Sequence, residues 1–376
     1  MSKVSKLLVK YNEKPVGTMA LYKDSFAAFE YGSEWLTDGF SISPFSLPLE
    51  QRVFMPKIEP FEGLYGVFAD SLPDGWGRLL VDRLLLKNNI NPMQLSSMDR
   101  LAIVGSSGMG ALTYEPGYKF DTVGPLLNLD KIAEECSKIL NTDYSDNLDE
   151  LFKLGGSSGG ARPKILTEID GEKWIIKFPS SSDKKSIGEQ EYKYSLCAKK
   201  CGIIMEETRL FDSKVCSGYF GTKRFDNIAD KNGNIKRIHM ISVSGILETS
   251  HRIPNLDYNI LMKLTLKLTK DFREIEKLFR IMCFNVFANN RDDHSKNFTF
   301  LYNDEENKWT LAPAYDLTYS FSIGGEHATC INGNGKNPGI RDILEVAKNI
   351  GIKETKAKNI ADEIKTTIEE CGILKI

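Results

Sequence analysis

Two short runs rich in apolar residues lie near the amino terminus, Leu7-Leu8-Val9-Lys10-Tyr11 and Gly17-Thr18-Met19-Ala20-Leu21-Tyr22. The pattern predicts two strands around a turn at Asn12-Glu13-Lys14-Pro15. Phe68-Ala69-Asp70-Ser71-Leu72-Pro73-Asp74-Gly75-Trp76-Gly77 reads as a turn that opens a helix over 78–87. Val104-Gly105-Ser106-Ser107-Gly108-Met109-Gly110-Ala111-Leu112 reads as a glycine-rich loop entering a short strand. A helical period over Leu129–Leu140, with Asn128 as N-cap, leads into a polar linker at 141–147. Two strands, Ile165-Leu166-Thr167-Glu168 and Trp174-Ile175-Ile176-Lys177-Phe178, flank a hairpin turn at Asp170-Gly171. A helix is expected from Ser186, whose spacing to Glu189 is that of a capping box. Beyond about residue 230 the pattern is mainly helical. One long amphipathic helix is expected over 272–289, with Ile275, Phe279, Met282, Val286 and Asn289 on one stripe. There is no internal repeat and no low-complexity tract. These changes of pattern divide the chain into 1–125, a mixed unit, 126–229, rich in strands, and 230–376, mainly helical.

Composition narrows the class. With 376 residues, 41% hydrophobic and 27% charged, the chain can bury a sizeable core without staples. A formal net charge of −2 argues against a protein that coats nucleic acid unaided, although a local basic patch is compatible with it. The seven cysteines lack C-x-x-C spacing, which points to reduced thiols rather than a disulfide framework or zinc site. The start has no signal-peptide pattern, and no run approaches the ~20 apolar residues of a membrane span. The expectation is a soluble cytoplasmic protein with no membrane partner.

Candidate chemistry begins after the long helix, at Asp292-Asp293-His294-Ser295-Lys296-Asn297. Counted from Asp292 this is D-x-x-x-x-N, the spacing of a kinase catalytic loop. A carboxylate there can orient an acceptor hydroxyl, while the asparagine oxygen holds magnesium. Lys296 offers a point charge to the transferring phosphoryl group, and His294 a phosphate contact. Asp293, one position short of that spacing, is read as structural. The alternating segments Phe298-Thr299-Phe300-Leu301-Tyr302 and Trp309-Thr310-Leu311 predict a hairpin whose base would bring Asn297 towards Asp316, a second magnesium ligand.

Upstream, Lys177 lies on an apolar strand, where a lysine must find an anion. Glu191 on the following helix is the preferred orienting partner, with Glu189 as its rival. Arg224-Phe225-Asp226 follows the strand Gly218-Tyr219-Phe220-Gly221-Thr222-Lys223, where a hinge would present backbone groups and Phe225 to adenine; an ordinary strand end is the alternative. Gly155-Gly156-Ser157-Ser158-Gly159-Gly160-Ala161-Arg162-Pro163-Lys164 lacks the G-K-[ST] of a P-loop NTPase, yet its glycines allow N–H groups to converge on phosphate. The loop Gly105 to Gly110 has no lysine or acidic partner in register and is read as structural. His239, His251 and His327 are read as packing or surface residues.

In order, these motifs resemble the HipA family of bacterial toxin–antitoxin serine/threonine kinases over nearly the whole chain. The segments at Phe68–Asp74 and Val104–Leu112 resemble its accessory domain, Ser157–Lys164 its phosphate loop, and Glu189-Gln190-Glu191-Tyr192, Arg224-Phe225-Asp226, Asp292–Asn297 and Tyr315-Asp316 the rest. The resemblance implies an α+β HipA-like kinase fold: an accessory mixed α/β domain over 1–125, a β-rich ATP-binding lobe over 126–229 and a helical lobe with the catalytic loop over 230–376. It implies ATP and Mg2+ as cofactors, with Asp292 and Lys296 catalytic and Asn297 and Asp316 on the metal. Gly159, Gly160, Ala161, Lys177, Lys223, Phe225 and His294 would bind ATP, and Glu191 would orient. Ser157 matches the autophosphorylated serine, with Ser158 as a second candidate. Implied partners are a helix-turn-helix antitoxin of the HipB kind, operator DNA through that antitoxin only, and a translation factor such as glutamyl-tRNA synthetase as substrate. A lipid kinase and a catalytically weak corepressor are the competing readings. No basic amphipathic segment supports the first, and the intact set of Lys177, Asp292, Asn297 and Asp316 counts against the second.

Overall fold

The computed structural model describes residues 3–118, 128–143, 145, 147–229 and 235–375. The expected boundary at 125/126 lies outside the described residues, as do two positions of the 141–147 linker. The boundary at 229/230 borders another such stretch. The chain forms two compact units, one of Met1–Gly188, Phe211–Ile241 and Gly245–Thr249, the other of Glu189–Leu210, Ser242–Ser244 and Ser250–Ile376.

In the first unit, β1 (Lys6–Tyr11), β2 (Lys14–Tyr22), β3 (Phe26–Tyr31) and β4 (Leu112–Glu115) form an antiparallel sheet in the order β3-β2-β1-β4. Asn12 and Glu13 take left-handed φ values of 43° and 69°, so the turn is tighter than expected and Lys14-Pro15 already belong to β2. β3 escapes an alternation search because Ala27, Ala28 and Phe29 are buried consecutively.

A second sheet carries the nucleotide-loop candidates. β5 (Lys164–Ile169) and β6 (Glu172–Lys177) pair antiparallel, with Asp170 and Gly171 at φ 55° and 79° in the turn. The strand Tyr219–Lys223 pairs with β6 on its other side. One face of this sheet buries Ile165, Ile176, Phe178 and Tyr219 against three helices. Helix Gly75–Lys87 contributes Trp76 and Leu80. Leu129–Leu140 contributes Ile132, Cys136 and Ile139 at helical spacing, and Leu148–Gly155 contributes Leu148 and Leu151. Asn128 caps Leu129–Leu140 by accepting from Lys131 N at 2.9 Å.

The second unit is mainly helical. Its helices include Tyr258–Thr269, Phe272–Phe287, Ile340–Ile350 and Glu354–Cys371. Helix Phe272–Phe287 buries Leu278, Ile281 and Phe284 as well as Ile275, Phe279, Met282 and Val286 of the expected stripe, which marks it as central rather than superficial. It stops two residues before the expected end, and Asn289 turns the chain with φ 53°. Thr299–Asn303 and Lys308–Leu311 form the predicted hairpin. Among the described residues no helix is long and apolar enough to cross a membrane.

Candidate functional site

The candidate residues fall in both units. In the first, the loop after helix Leu148–Gly155 runs into β5. Lys164 and Lys177 are register partners, so both side chains leave the same face of the sheet, opposite to the core face of Ile165 and Ile176. Lys164 Nζ donates to the Gly159 carbonyl. Lys177 Nζ lies 5.4 Å from the centre of the Phe220 ring. Gly159, Gly160 and Ala161 therefore lie beside a face that carries two ammonium groups.

Lys223 is a different case. Its register partner is Trp174, which shares the core face with Ile176, and its Nζ is 2.7 Å from Glu172 Oε1. Its side chain is turned away from the face that carries Lys177, because strand side chains alternate. Phe225 sits in the turn beyond it. Its neighbours Arg224 and Asp226 bond each other at 2.9 and 2.7 Å. Burial alone would raise the Asp226 carboxyl, but the Arg224 guanidinium and the Gly110 N–H hold it below the usual carboxylate range.

The two candidate phosphosites differ in access. Ser158 is 1% exposed and donates to the Gly155 carbonyl at 2.6 Å. Ser157 is half-buried and donates to the Ser107 carbonyl at 2.9 Å.

In the second unit, the catalytic-loop candidates close a short turn. Asn297 Nδ2 donates to the Asp292 carbonyl at 2.6 Å, and Asn297 N to the His294 carbonyl at 2.8 Å. His294 Nδ1 accepts from Lys296 N at 3.2 Å, so the neutral ring carries its proton on Nε2, 4.0 Å from Asp292 Oδ1. The hairpin brings the Asp316 segment alongside. Tyr315 Oη donates to the Lys296 carbonyl at 2.6 Å, and Asn290 Nδ2 reaches the Asp316 carbonyl at 3.3 Å. Asp316 takes φ 54°, a left-handed conformation that Asp tolerates better than most residues.

Among the described residues no group of three or more His, Cys, Asp or Glu is arranged to hold a metal. The donor set that is present still suits magnesium. Asn297 Nδ2 donates to backbone, and Asn297 Oδ1 and the Asp316 carboxylate are hard oxygens of the kind that magnesium prefers. Two protein oxygens are what Mg2+ takes when phosphate and water complete its shell. Glu191 is 3% exposed on helix Ile187–Lys200, whereas Glu189 pairs with Lys193 at 2.7 Å.

Several partners were not visible in the sequence. The loop Gly105–Gly110 does have an acidic partner, since Gly110 N donates to Asp226 Oδ2 at 2.7 Å, and its Ser107 carbonyl receives Ser157. This corrects its reading as a loop without one. Asp293 is 1% exposed and is structural as read, accepting from Tyr258 Oη at 3.1 Å and Thr329 N at 3.2 Å and pairing with His327 Nδ1 at 3.0 Å. His251 has its ring centre 5.5 Å from that of His294. None of these follows from spacing, because each joins residues distant in the chain.

Comparison with known proteins gives the following. The pattern of the HipA N-terminal domain matches residues 7–115, and that of the HipA-like C-terminal domain matches residues 156–371. Two proteins of Sinorhizobium fredii are similar to the chain. "Putative kinase Y4dM" is 24% identical over 98% of this chain and 91% of its own length. "Putative kinase Y4mE" is 25% identical over 98% and 86%. Among solved structures, a chain of the Shewanella oneidensis toxin–antitoxin complex of HipA, HipB and operator DNA superposes with a TM-score of 0.71 at 16% identity. That match covers 98% of this chain and 90% of the other.

Proposed function

The chain belongs to the HipA family of kinase-fold proteins, and from that premise we propose that it is a serine/threonine-protein kinase that moves the γ-phosphate of ATP to a protein hydroxyl. One observation carries the reading: the turn in which Asn297 is bonded to the Asp292 carbonyl while Tyr315 ties the Asp316 segment to Lys296. A loosely held Asp-rich turn would not serve phosphoryl transfer, whose catalysis is almost entirely positioning and charge stabilisation.

The roles follow from the chemistry of each group. Asp292 orients the acceptor hydroxyl and accepts its proton. Lys296 stabilises charge on the transferring group, and His294 offers Nε2–H to a phosphate oxygen. Asn297 and Asp316 would hold Mg2+, which neutralises phosphate charge when bound. Lys177 and the N–H groups of Gly159, Gly160 and Ala161 receive phosphates, and Glu191 is assigned an orienting role. Adenine is assigned to Phe225 and the backbone around it, with no role for the Lys223 ammonium. Ser157 is the autophosphorylation site, favoured over Ser158 because Ser158 is buried and Ser157 only half-buried.

As a family-level extension, we infer a helix-turn-helix antitoxin of the HipB kind as partner and a translation factor such as glutamyl-tRNA synthetase as substrate, both in the cytoplasm. The Shewanella complex, which contains HipB and operator DNA, supports the first. The deciding experiment is phosphoryl transfer from labelled ATP with Mg2+ to a cell lysate, beside a calorimetric ATP titration. Asp292→Asn is expected to abolish transfer and leave ATP affinity within about twofold. Asp316→Asn is expected to weaken Mg2+-dependent ATP binding as well. Normal transfer by Asp292→Asn would remove the assignment.

A further inference from the structure

Helix Gly75–Lys87 begins at Asp74, an N-cap residue that makes no side-chain cap hydrogen bond. An aspartate at this position ordinarily accepts from a first-turn N–H of its own helix. Here Asp74 Oδ1 instead accepts from Gly160 N, in the middle of the loop assigned to phosphates. The backbone of the same turn makes a second contact, since Trp76 N donates to the Gly160 carbonyl at 3.0 Å. The Trp76 indole makes a third, donating from Nε1 to the Lys164 carbonyl at 3.2 Å where the loop enters β5.

Two glycines permit this approach. A Cβ on Gly75, at φ +45°, would meet the Gly160 carbonyl oxygen at 2.5 Å, and one on Gly77 would meet the Ser158 carbonyl oxygen at 2.2 Å. Trp76 is itself anchored in the core under the second sheet, with Leu80 one turn on. The turn is therefore anchored in the core where it touches the loop.

We propose that the Asp74–Gly77 turn is a latch that holds the phosphate loop in one conformation, with Asp74 as a positioning residue for nucleotide binding. The inference rests on the loop's assignment to nucleotide. A glycine- and serine-rich segment loses much conformational freedom when it closes on phosphate. Bonding both the N–H and the carbonyl of Gly160 from a packed helix start removes most of that freedom beforehand. The Ser157 hydroxyl, donating to the Ser107 carbonyl, is a further tether, and esterification by phosphate would remove its donor proton.

The test uses the full chain and reads the loop before it reads ATP. Hydrogen exchange of the peptide covering 155–164 is measured without nucleotide in wild type, Asp74→Ala and Asp74→Asn. Asp74→Ala is expected to exchange roughly tenfold faster there, the scale of one hydrogen bond to a charged acceptor, with helix Phe272–Phe287 unchanged. Asp74→Asn, which keeps an acceptor oxygen without charge, is expected to lie between. ATP affinity should fall in the same order. Unchanged exchange in Asp74→Ala, or tighter ATP binding by it, would overturn the latch. Faster exchange with no ATP binding even by wild type would sink the nucleotide assignment and, with it, the latch's role in nucleotide binding, while the loop contact itself stood.

Discussion

His239 shows how a single buried side chain sets a pH limit. It is fully buried, with Nε2 2.8 Å from the Ile42 carbonyl, and burial depresses its pKa to about 4 against a modest opposing effect of that carbonyl. The unfolded chain therefore takes up a proton near pH 6.5 that the folded protein refuses until about pH 4. The stability this group contributes is complete above pH 6.5 and is lost as the pH falls. Between pH 7 and pH 5 the loss is about 2 kcal/mol. Urea unfolding at the two pH values should show it, and His239→Gln should flatten the dependence. An equally steep profile in that variant would move the effect elsewhere. The residue scale also shows differences between equals in sequence: Ser158 is buried and Ser157 half-buried, and Glu191 is buried while the half-buried Glu189 pairs with Lys193.

At the scale of elements, the start of helix Leu129–Leu140 was readable from Asn128, since a cap and its helix are neighbours in the chain, whereas helix Gly75–Lys87 begins before the expected residue 78. Asp271 caps Phe272–Phe287 by accepting from Arg273 N at 2.9 Å, and Lys308 of the hairpin reaches the same carboxylate at 3.0 Å. The hydrogen bonds from Arg273 hold the Asp271 carboxyl well below its usual range. Asp271→Ala should lower the stability measurably, because the first-turn N–H loses its acceptor. Thermal unfolding would read this, and it would also show whether the hairpin base, which sets Asn297 beside Tyr315, loosens with it. A change within error would mean that the cap is replaced by water. The hairpins at Asp170-Gly171 and Thr299–Leu311 were equally plain, because their registers are set by the turn and by alternation. β3 was missed for the converse reason: a strand buried on both faces has no alternation to find.

For the whole molecule, a net charge of −2 bears on the proposed partnership with an antitoxin. Binding to DNA releases counterions in proportion to the phosphates neutralised, which needs a concentrated positive surface. Most of the DNA contact should therefore come from the partner. In a gel-shift assay, the chain alone should leave operator DNA unshifted at physiological salt, and the pair should shift it. Sequence-specific binding by the chain alone would end this division of labour.

The amino-acid sequence determined the local structure and the order of the chemical groups. D-x-x-x-x-N, the glycine-rich loop and the two hairpins depend on hydrogen bonds and side-chain periods that span a few residues. The tertiary structure alone decided which of these groups have company. Asp74 reaches Gly160 across 86 positions, and Gly110 reaches Asp226 across 116. Lys223 points away from Lys177 because of the strand it pairs with, and Asp293 is held by Tyr258, His327 and Thr329 from distant elements. Such contacts follow from how helices and sheets share a core, and no spacing along the chain encodes them.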